Sequence, residues 1–147
     1  PSYVIHPKEK IAEYLDTVGI KRNFYIHMKS LPEESSIKNC EIEVNHVDNM
    51  QCYGYEIIFP DGVIYYSGDA TEIPEEILKK YLNGEIGVIY QDTCSYISKN
   101  PTHGNIFYLE DKIPPDKRSN VNWMHLDRDF RGKIRELGFQ VPDYLEK

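Results

Sequence analysis

Three strand-like segments of the chain end in side chains that commonly bind metals. One apolar run ends in Asp69, a second ends in His125, and a third ends in His46. A side chain at the carboxyl end of a strand is held by the sheet but faces the connecting loops, where open α/β sheets place their ligands. Two imidazoles and a carboxylate form a ligand set that suits zinc, manganese or iron better than calcium. The sequence therefore predicts a metal site assembled from strand ends.

Each of these signals also has a structural explanation that the sequence leaves open. A histidine at the end of a strand often serves as a hydrogen-bonded structural residue, and the Gly68-Asp69 pair is also typical of a helix cap. A metal site therefore requires that the three residues meet at one edge of the fold.

The composition is that of an ordinary globular protein of one domain. The chain has 147 residues, of which 40% are apolar and 28% are charged. Its net charge of −7 gives no general attraction to a phosphate backbone, so a nucleic acid would need a local basic patch or a metal. No apolar stretch approaches the ~18 residues of a membrane span, and the start is unlike a signal peptide, so we expect a cytoplasmic location. Cys40, Cys52 and Cys94 lack the spacing of a disulfide framework or a cysteine zinc site, and we expect reduced thiols.

Turn residues and apolar periodicity divide the chain into alternating elements. The turn Pro60-Asp61-Gly62 joins two strands into a hairpin, and residues 91–101 form a polar loop. The predicted strands are residues 2–5, 40–47, 53–59, 63–67, 86–90 and 121–124, and the predicted helices are residues 7–19, 74–82, 102–110 and a last helix that Asp127 caps and Gly138 ends. A helix, then a hairpin, then helices alternating with strands predict a mixed α/β layer architecture.

Six short motifs run along the chain. They are Val44-Asn45-His46, Gly54-Tyr55, Tyr66-Ser67-Gly68-Asp69-Ala70-Thr71, Tyr90-Gln91-Asp92, Thr102-His103-Gly104 and Met124-His125-Leu126. Together they resemble the second half of a metallo-β-lactamase-fold hydrolase, and within that superfamily the ribonuclease Z and phosphodiesterase branch. The resemblance covers nearly the whole chain. It implies a single domain over residues 1–147 that is half of an αββα sandwich, with a mixed sheet and flanking helices.

The resemblance also implies a binuclear metal centre. His46 would bind one of two divalent metals, Asp69 would bridge both and His125 would bind the second; zinc is the expected metal, with manganese or iron as options. Asp69, as the bridging carboxylate, and His103 are the implied catalytic residues. The imidazole of His103, near the site, could protonate the leaving group or orient the phosphate. Asp92 could hold a ligand histidine through a hydrogen bond. The implied reaction is metal-assisted hydrolysis of a phosphodiester. Structural alternatives remain for two residues: His103 could be an exposed residue of a helix, and Asp92 could cap a loop.

The main ligand cluster of such hydrolases, His-x-His-x-Asp-His, does not occur in this sequence. The five histidines are His6, His27, His46, His103 and His125. We expect the cluster upstream of the opening strand, and a start at Pro1 without a methionine is typical of a piece of a longer polypeptide. Because a firm zinc site takes three or four protein ligands, we expect an amino-terminal half or a second chain, including a second copy, to complete the centre. The isolated chain should then be inactive.

Three readings follow. The chain could be the carboxyl-terminal half of a hydrolase that acts on a small-molecule or nucleic-acid phosphodiester. It could be a non-catalytic binding or regulatory half-domain that retains the fold without the chemistry. It could also be an unrelated α/β domain with structural histidines. No membrane partner is expected, and the fold by itself does not choose a substrate.

Overall fold

The computed structural model describes residues 2–47, 50–97 and 102–142. The strands are β1 (Ser2–Ile5), β2 (Tyr25–Met28), β3 (Lys38–Val44), β4 (Cys52–Phe59), β5 (Gly62–Tyr66), β6 (Val88–Asp92) and β7 (Val121–Met124). The helices are α1 (Ile11–Thr17), α2 (Glu75–Leu82), α3 (Ile106–Lys112) and α4 (Arg131–Glu136), with 3-10 turns at Arg22–Phe24 and Pro115–Asn120. The predicted α/β class, with a mixed sheet and flanking helices, is confirmed.

A five-stranded sheet in the order β3-β4-β5-β6-β7 forms the body of the protein. Strand β4 runs antiparallel to both β3 and β5, whereas β5, β6 and β7 are parallel to one another. Four of the five strands, β3, β5, β6 and β7, therefore run in the same direction. Their carboxyl ends lie at one edge of the sheet, which we call the carboxyl edge.

The antiparallel part of the sheet follows from a tight hairpin. Phe59 pairs with Gly62, so only Pro60 and Asp61 lie in the loop between β4 and β5, as the sequence predicts. The parallel part requires crossover connections, which α2 supplies between β5 and β6 and α3 supplies between β6 and β7. Pro74 stands at the N-cap of α2, and Gly84, with φ of 81°, ends that helix region.

One face of the sheet, the core face, packs against the helices. Side chains alternate along a strand, so Tyr65, Ile89, Val121 and Trp123 share this face, and each is fully buried. The ring of Trp123 lies 4.6 Å from the ring of Phe139, between centroids, beneath the last strand. The buried residues contributed by the helices and loops to the same cluster are Ile73, Ile77, Tyr81, Ile86, Ile106, Leu109, Ile113, Ile134, Phe139 and Val141.

The opposite face, which we call the open face, also carries apolar side chains but is much less covered. Cross-strand pairing puts Tyr55 with Tyr66, Ile57 with Ile64, and Ile64 with Val88 on this side. None of these five side chains is buried, and Tyr66 is 43% exposed. An apolar sheet face of this kind is typical of a surface that a second layer covers.

The amino-terminal segment forms a small unit of its own around β1, α1 and β2. Strands β1 and β2 pair in parallel, and His27 donates from Nε2 to the carbonyl of His6 at 2.9 Å. The sequence predicts β1, but it does not predict β2. Gly19, with φ of 86°, follows the end of α1 and provides the left-handed turn expected there.

Three predicted boundaries are wrong in ways that affect the site. Strand β6 extends to Asp92, so this residue belongs to a buried strand rather than to a loop. Helix α3 begins at Ile106 and is capped by the side chain of Asn105 rather than by Thr102. Helix α4 begins at Arg131, and Asp127 does not cap it.

The cysteines and the helices answer two further questions raised by the sequence. Cys40, Cys52 and Cys94 are all free thiols, as predicted. A span across a bilayer needs about 20 apolar residues in one helix. None of the helices in the described part of the chain has that length and apolar character.

Candidate metal centre

The carboxyl edge brings a set of carboxylate and imidazole side chains together. Asp92 is the last residue of β6 and His125 follows β7 directly, whereas Asp69 and His46 lie a short distance beyond β5 and β3. His103 reaches the same place from the loop between β6 and α3. Four of these five residues are the predicted site residues, and the strand directions explain why they meet.

Gly68 makes the turn that carries Asp69 away from the sheet. Its φ of 58° is left-handed, and a Cβ on this residue would lie 2.6 Å from the carbonyl oxygen of Tyr53. No other residue type fits such a position without displacing the backbone of β4. Ser67, which is buried, fixes the start of the turn because its Oγ accepts from the backbone N of Asp92 at 2.9 Å and donates to the Gly68 carbonyl.

Asp92 and His103 form a short hydrogen-bonded pair. His103 donates from Nδ1 to Oδ2 of Asp92 at 2.6 Å, and the Asp92 side chain is completely buried. Burial raises the pKa of Asp92 above its ordinary value, and the hydrogen bond from His103 partly offsets that rise. With Nδ1 engaged in this way, Nε2 of His103 is left for the interior of the site.

The other carboxylate oxygen of Asp92 is the most informative atom of the site. Oδ1 is buried and has no hydrogen-bond partner among the described residues. It lies 3.5 Å from Nδ1 of His125, longer than an ordinary N–H···O hydrogen bond. A buried carboxylate oxygen without a partner is costly, so native proteins pair such atoms with a donor or a cation.

His125 adopts a backbone conformation that is unusual for a side chain of its size. Its φ is 56°, and it is the one non-glycine residue with positive φ in the described part of the chain. A left-handed conformation costs on the order of 1–3 kcal/mol and tends to persist at functional sites. It brings Nδ1 within 3.3 Å of Oδ1 of Asp69 while leaving the imidazole 55% exposed.

His46 is held in a tautomer that suits a metal ligand. Its Nδ1 hydrogen-bonds the carbonyl oxygen of Thr102, and because a carbonyl can only accept, Nδ1 carries the proton. Nε2 of the neutral ring is then left with a lone pair, the arrangement that backbone carbonyls commonly impose on ligand histidines. The ring centroid of His46 lies 5.5 Å from that of His103, which in turn lies 4.9 Å from that of His125.

The donor set fits a divalent metal. One ligand atom each from Asp92, His103 and His125 lie within 4.8 Å of one another, the one such group of metal-binding side chains found among the described residues. Two imidazoles and a buried carboxylate form the mixed nitrogen and oxygen set expected of zinc, manganese or iron. The unpartnered Oδ1 of Asp92 is the atom that a cation would satisfy.

The candidate group differs from the predicted ligand set in two of its three members, because it contains Asp92 and His103 in place of His46 and Asp69. The sequence predicts His46, Asp69 and His125 as ligands, and contacts link His125 to Asp69 and His46 to His103. The ligand roles of His46 and Asp69 remain predictions. Asp92, for which the sequence suggests only a supporting role, lies within the candidate group. The signal that could have found it is its position two residues after an apolar run that reads as a strand.

Comparison with known proteins identifies the fold. Neither a scan against protein-family models nor a search of curated proteins finds a match. Solved structures give strong similarities. A diphosphatase from the PhnP family matches with a TM-score of 0.66 at 18% identity, covering 95% of this chain and 53% of that one. This chain has the metallo-β-lactamase fold.

Two further structures with this fold support the assignment. The isothiocyanate hydrolase from Delia radicum gut bacteria matches with a TM-score of 0.63 at 13% identity, covering 94% of this chain and 60% of that one. The metallo-β-lactamase-fold protein YhfI from Bacillus subtilis matches with a TM-score of 0.60 at 10% identity, covering 95% of this chain and 59% of that one. The chain thus spans little more than half the length of these structures, and the reading as an unrelated α/β domain is wrong.

Proposed function

We propose that this chain is the carboxyl-terminal half of a metal-dependent hydrolase of the metallo-β-lactamase superfamily, acting on a phosphodiester. The observation that carries the proposal is the convergence of imidazoles and carboxylates at the carboxyl edge, where Asp69 lies 3.3 Å from His125 and the ring of His46 lies 5.5 Å from that of His103. The whole unit, residues 1–147, would act as one domain within this larger fold. The fold assignment supports the superfamily, and the ribonuclease Z and phosphodiesterase branch rests on the sequence motifs.

The cluster divides into ligands and a proton donor. His46, Asp69 and His125 would hold two divalent metals, with Asp69 as the bridging carboxylate. Metals bound there would supply Lewis-acid chemistry, activating water and neutralising the charge that develops on the phosphoryl group. Zinc is the expected metal, and manganese or iron would also suit these donors.

His103 would serve as the general acid of the reaction. Its Nδ1 donates to Oδ2 of Asp92 at 2.6 Å, so the buried carboxylate orients the ring. As a general acid, the ring would pass a proton from Nε2 to the departing oxygen of the ester. The same pair supports Asp92 as the positioning residue for His103.

The ligands in this chain do not complete two metal sites. Each metal would receive one imidazole from this chain and share the Asp69 carboxylate, whereas a firm site takes three or four protein ligands. The open face and the partial coverage of the neighbouring structures support the same conclusion, because both point to a missing layer. We therefore propose that an amino-terminal half or a second chain, including a second copy of this one, supplies the remaining ligands.

The substrate is proposed at the level of its chemical class. The neighbouring structures include a diphosphatase and an isothiocyanate hydrolase, so the fold accommodates more than one kind of bond. The sequence motifs favour a phosphodiester, either a small molecule or a nucleic acid. With a net charge of −7, a nucleic acid would have to be held at the metal centre rather than by general attraction to the surface.

The test is metal content and turnover in the full polypeptide that contains this chain. We expect about two divalent metals per chain and hydrolysis of bis(4-nitrophenyl) phosphate. Asp69→Ala should lose both, because it removes the bridging carboxylate. His103→Ala should lower turnover by about 10²–10⁴-fold and retain the metals, the loss expected for a general acid. Asp111→Ala, which removes a carboxylate of α3 that is 78% exposed, is the matched control.

Three results would contradict the proposed function or its assignment of roles. Full metal loading with unchanged turnover in Asp69→Ala would overturn the function itself. Loss of metal from His103→Ala, with metal retained in Asp69→Ala, would favour instead an ion held by Asp92, His103 and His125. Metal loading without hydrolysis of any ester would favour the non-catalytic binding half-domain.

A further inference from the structure

Two loops deliver histidines to the candidate centre, one after β6 and one after β7. The first follows β6 and carries His103, and its two ends are joined because Cys94 donates from its backbone N to the Gly104 carbonyl at 2.8 Å. Ile106 donates back to the Cys94 carbonyl at 3.2 Å, which closes the base of the loop. His103 precedes Gly104, and Ser95 follows Cys94. Ser95 and His103 therefore lie next to the same closed base.

The second loop follows β7 and begins with His125 in its left-handed conformation. Two residues later, Asp127 accepts two hydrogen bonds from Ser95. The backbone N of Ser95 donates to Oδ1 at 2.6 Å, and its Oγ donates to Oδ2 at 3.0 Å. The side chain of Arg128 also donates to Oδ2, at 2.9 Å. One carboxylate thus joins the loop of His103 to the loop of His125.

The neighbouring Asp129 provides a contrast within the same loop. Its carboxylate accepts from the backbone N of Arg131 at 3.3 Å and from the guanidinium of Arg131 at 2.8 Å. These bonds stay within one turn of the chain and do not reach the first loop. Asp127 therefore connects the two loops, whereas the bonds of Asp129 stay within its own loop.

We infer that Ser95 and Asp127 form a clamp that positions His103 and His125 relative to each other. The inference deepens the proposed function and rests on it, because the spacing of these two imidazoles matters only if they act in one centre. Both bonds of the clamp have a charged acceptor, and such bonds are shorter and stronger than those between neutral groups.

The first experiment needs neither metal nor activity. In the metal-free protein, nuclear magnetic resonance should detect contacts between the ring protons of His103 and His125, whose centroids lie 4.9 Å apart. Asp127→Ala should remove these contacts and shift the backbone amide of Ser95 upfield. Asp129→Ala should leave both unchanged. Ser95→Ala should give an intermediate result because the backbone N remains, and Ser95→Thr should restore the wild-type signals.

The second experiment uses Co²⁺ as the probe in the full polypeptide that contains this chain. Asp127→Ala should weaken Co²⁺ binding about 10–100-fold, the loss typical of residues that orient metal ligands, and should change the visible spectrum of the bound ion. Asp129→Ala should match the wild type in affinity and spectrum. The spectrum reports ligand geometry, so a general loss of stability without a change at the site would not alter it.

The outcomes separate the clamp from the proposed function. Unchanged ring contacts and unchanged Co²⁺ spectrum in Asp127→Ala would overturn the clamp. If wild-type protein binds no Co²⁺ while Asp127→Ala still removes the ring contacts, the clamp stands and the proposed function fails. Should Asp127→Ala not fold, the pair Ser95→Ala and Ser95→Thr carries the same test, and identical spectra from these two variants and the wild type would overturn the clamp.

Discussion

The two faces of the central sheet have the same alternation of side chains but different surroundings. On the core face, Tyr65, Ile89 and Trp123 are fully buried against helices that come from the same chain. On the open face, Ile64 and Tyr66 are equally apolar, yet they stay half-buried or exposed. The difference shows that this chain covers one face of the sheet with its own helices, whereas cover for the second face is part of the proposed function. The candidate centre lies at the carboxyl edge, which both faces share.

The largest expected difference between the faces is in stability. Trp123→Ala should lower the free energy of unfolding by about 3–5 kcal/mol, because it removes the largest fully buried side chain of the core. Ile64→Ala should lower it by about 1 kcal/mol or less, because the open face already exposes that side chain to water. Urea unfolding followed by circular dichroism measures both. Similar losses from the two substitutions would contradict the difference between the faces.

A second prediction concerns the shared edge, where the backbone packs tightly. A Cβ at Gly104 would lie 2.4 Å from the carbonyl oxygen of Asp92, so Gly104→Ala must displace the segment that carries His103. We expect a loss of about 1–3 kcal/mol, in the range of overpacking substitutions, and weaker metal binding. Gly132→Ala is the control, since nothing lies within 4 Å of its Cβ position. Equal stability of the two variants, measured by thermal unfolding, would contradict the tight packing.

The open face should promote association when nothing covers it. Tyr66→Ser removes an apolar ring that is 43% exposed, and it should weaken self-association of the isolated chain about tenfold. Sedimentation velocity over a range of protein concentrations measures the effect. Tyr14→Ser, which changes a ring of α1 that is 62% exposed, should leave association unchanged. A wild-type chain that remains monomeric at high concentration would contradict self-association through the open face.

The smallest expected effect is a pH dependence of the free energy of unfolding, which comes from Tyr81, a buried residue of the core. Burial raises the pKa of Tyr81 from its ordinary value to about 12, and its hydroxyl donates to the carbonyl of Lys117. Between the unfolded and folded pKa values, the unfolded chain loses this proton and the folded chain keeps it, so stability falls as pH rises from about 10 to 12. At pH 11 the loss should be roughly 1 kcal/mol.

Tyr81→Phe should remove the loss of stability at alkaline pH that comes from Tyr81. It also removes one hydrogen bond. Urea unfolding at pH 8 and pH 11 separates the two effects, because the lost hydrogen bond lowers stability at both values and the titration only at the higher one. An identical decline in Tyr81→Phe and the wild type would contradict the assignment.

The local pattern of the sequence was sufficient for most elements but not for their ends. The hairpin around Pro60 and Asp61 and the strand β7 agree with the prediction, because turn residues and alternation act over a few neighbours. The predicted boundaries at Asp92 and Ile106 are wrong because pairing with β7 extends β6 and the side chain of Asn105 caps α3. Strand β2 forms by pairing with a segment about twenty residues earlier, which no local pattern indicates.

The sequence by itself determined the residue types available for a metal centre and the mixed α/β class of the fold that carries them. Aspartate and histidine at the ends of strand-like runs, together with six short motifs, were enough to predict His46, Asp69, His103 and His125 as site residues. Only the tertiary structure decided that Asp92 enters the same cluster and that one of its oxygens has no hydrogen-bond partner among the described residues. It also decided that Asp127 binds Ser95 instead of capping α4. The physical reason is that burial and long-range hydrogen bonds depend on which strands become neighbours. Periodicity and composition describe a segment, whereas the environment of a carboxylate is set by residues far away in the chain.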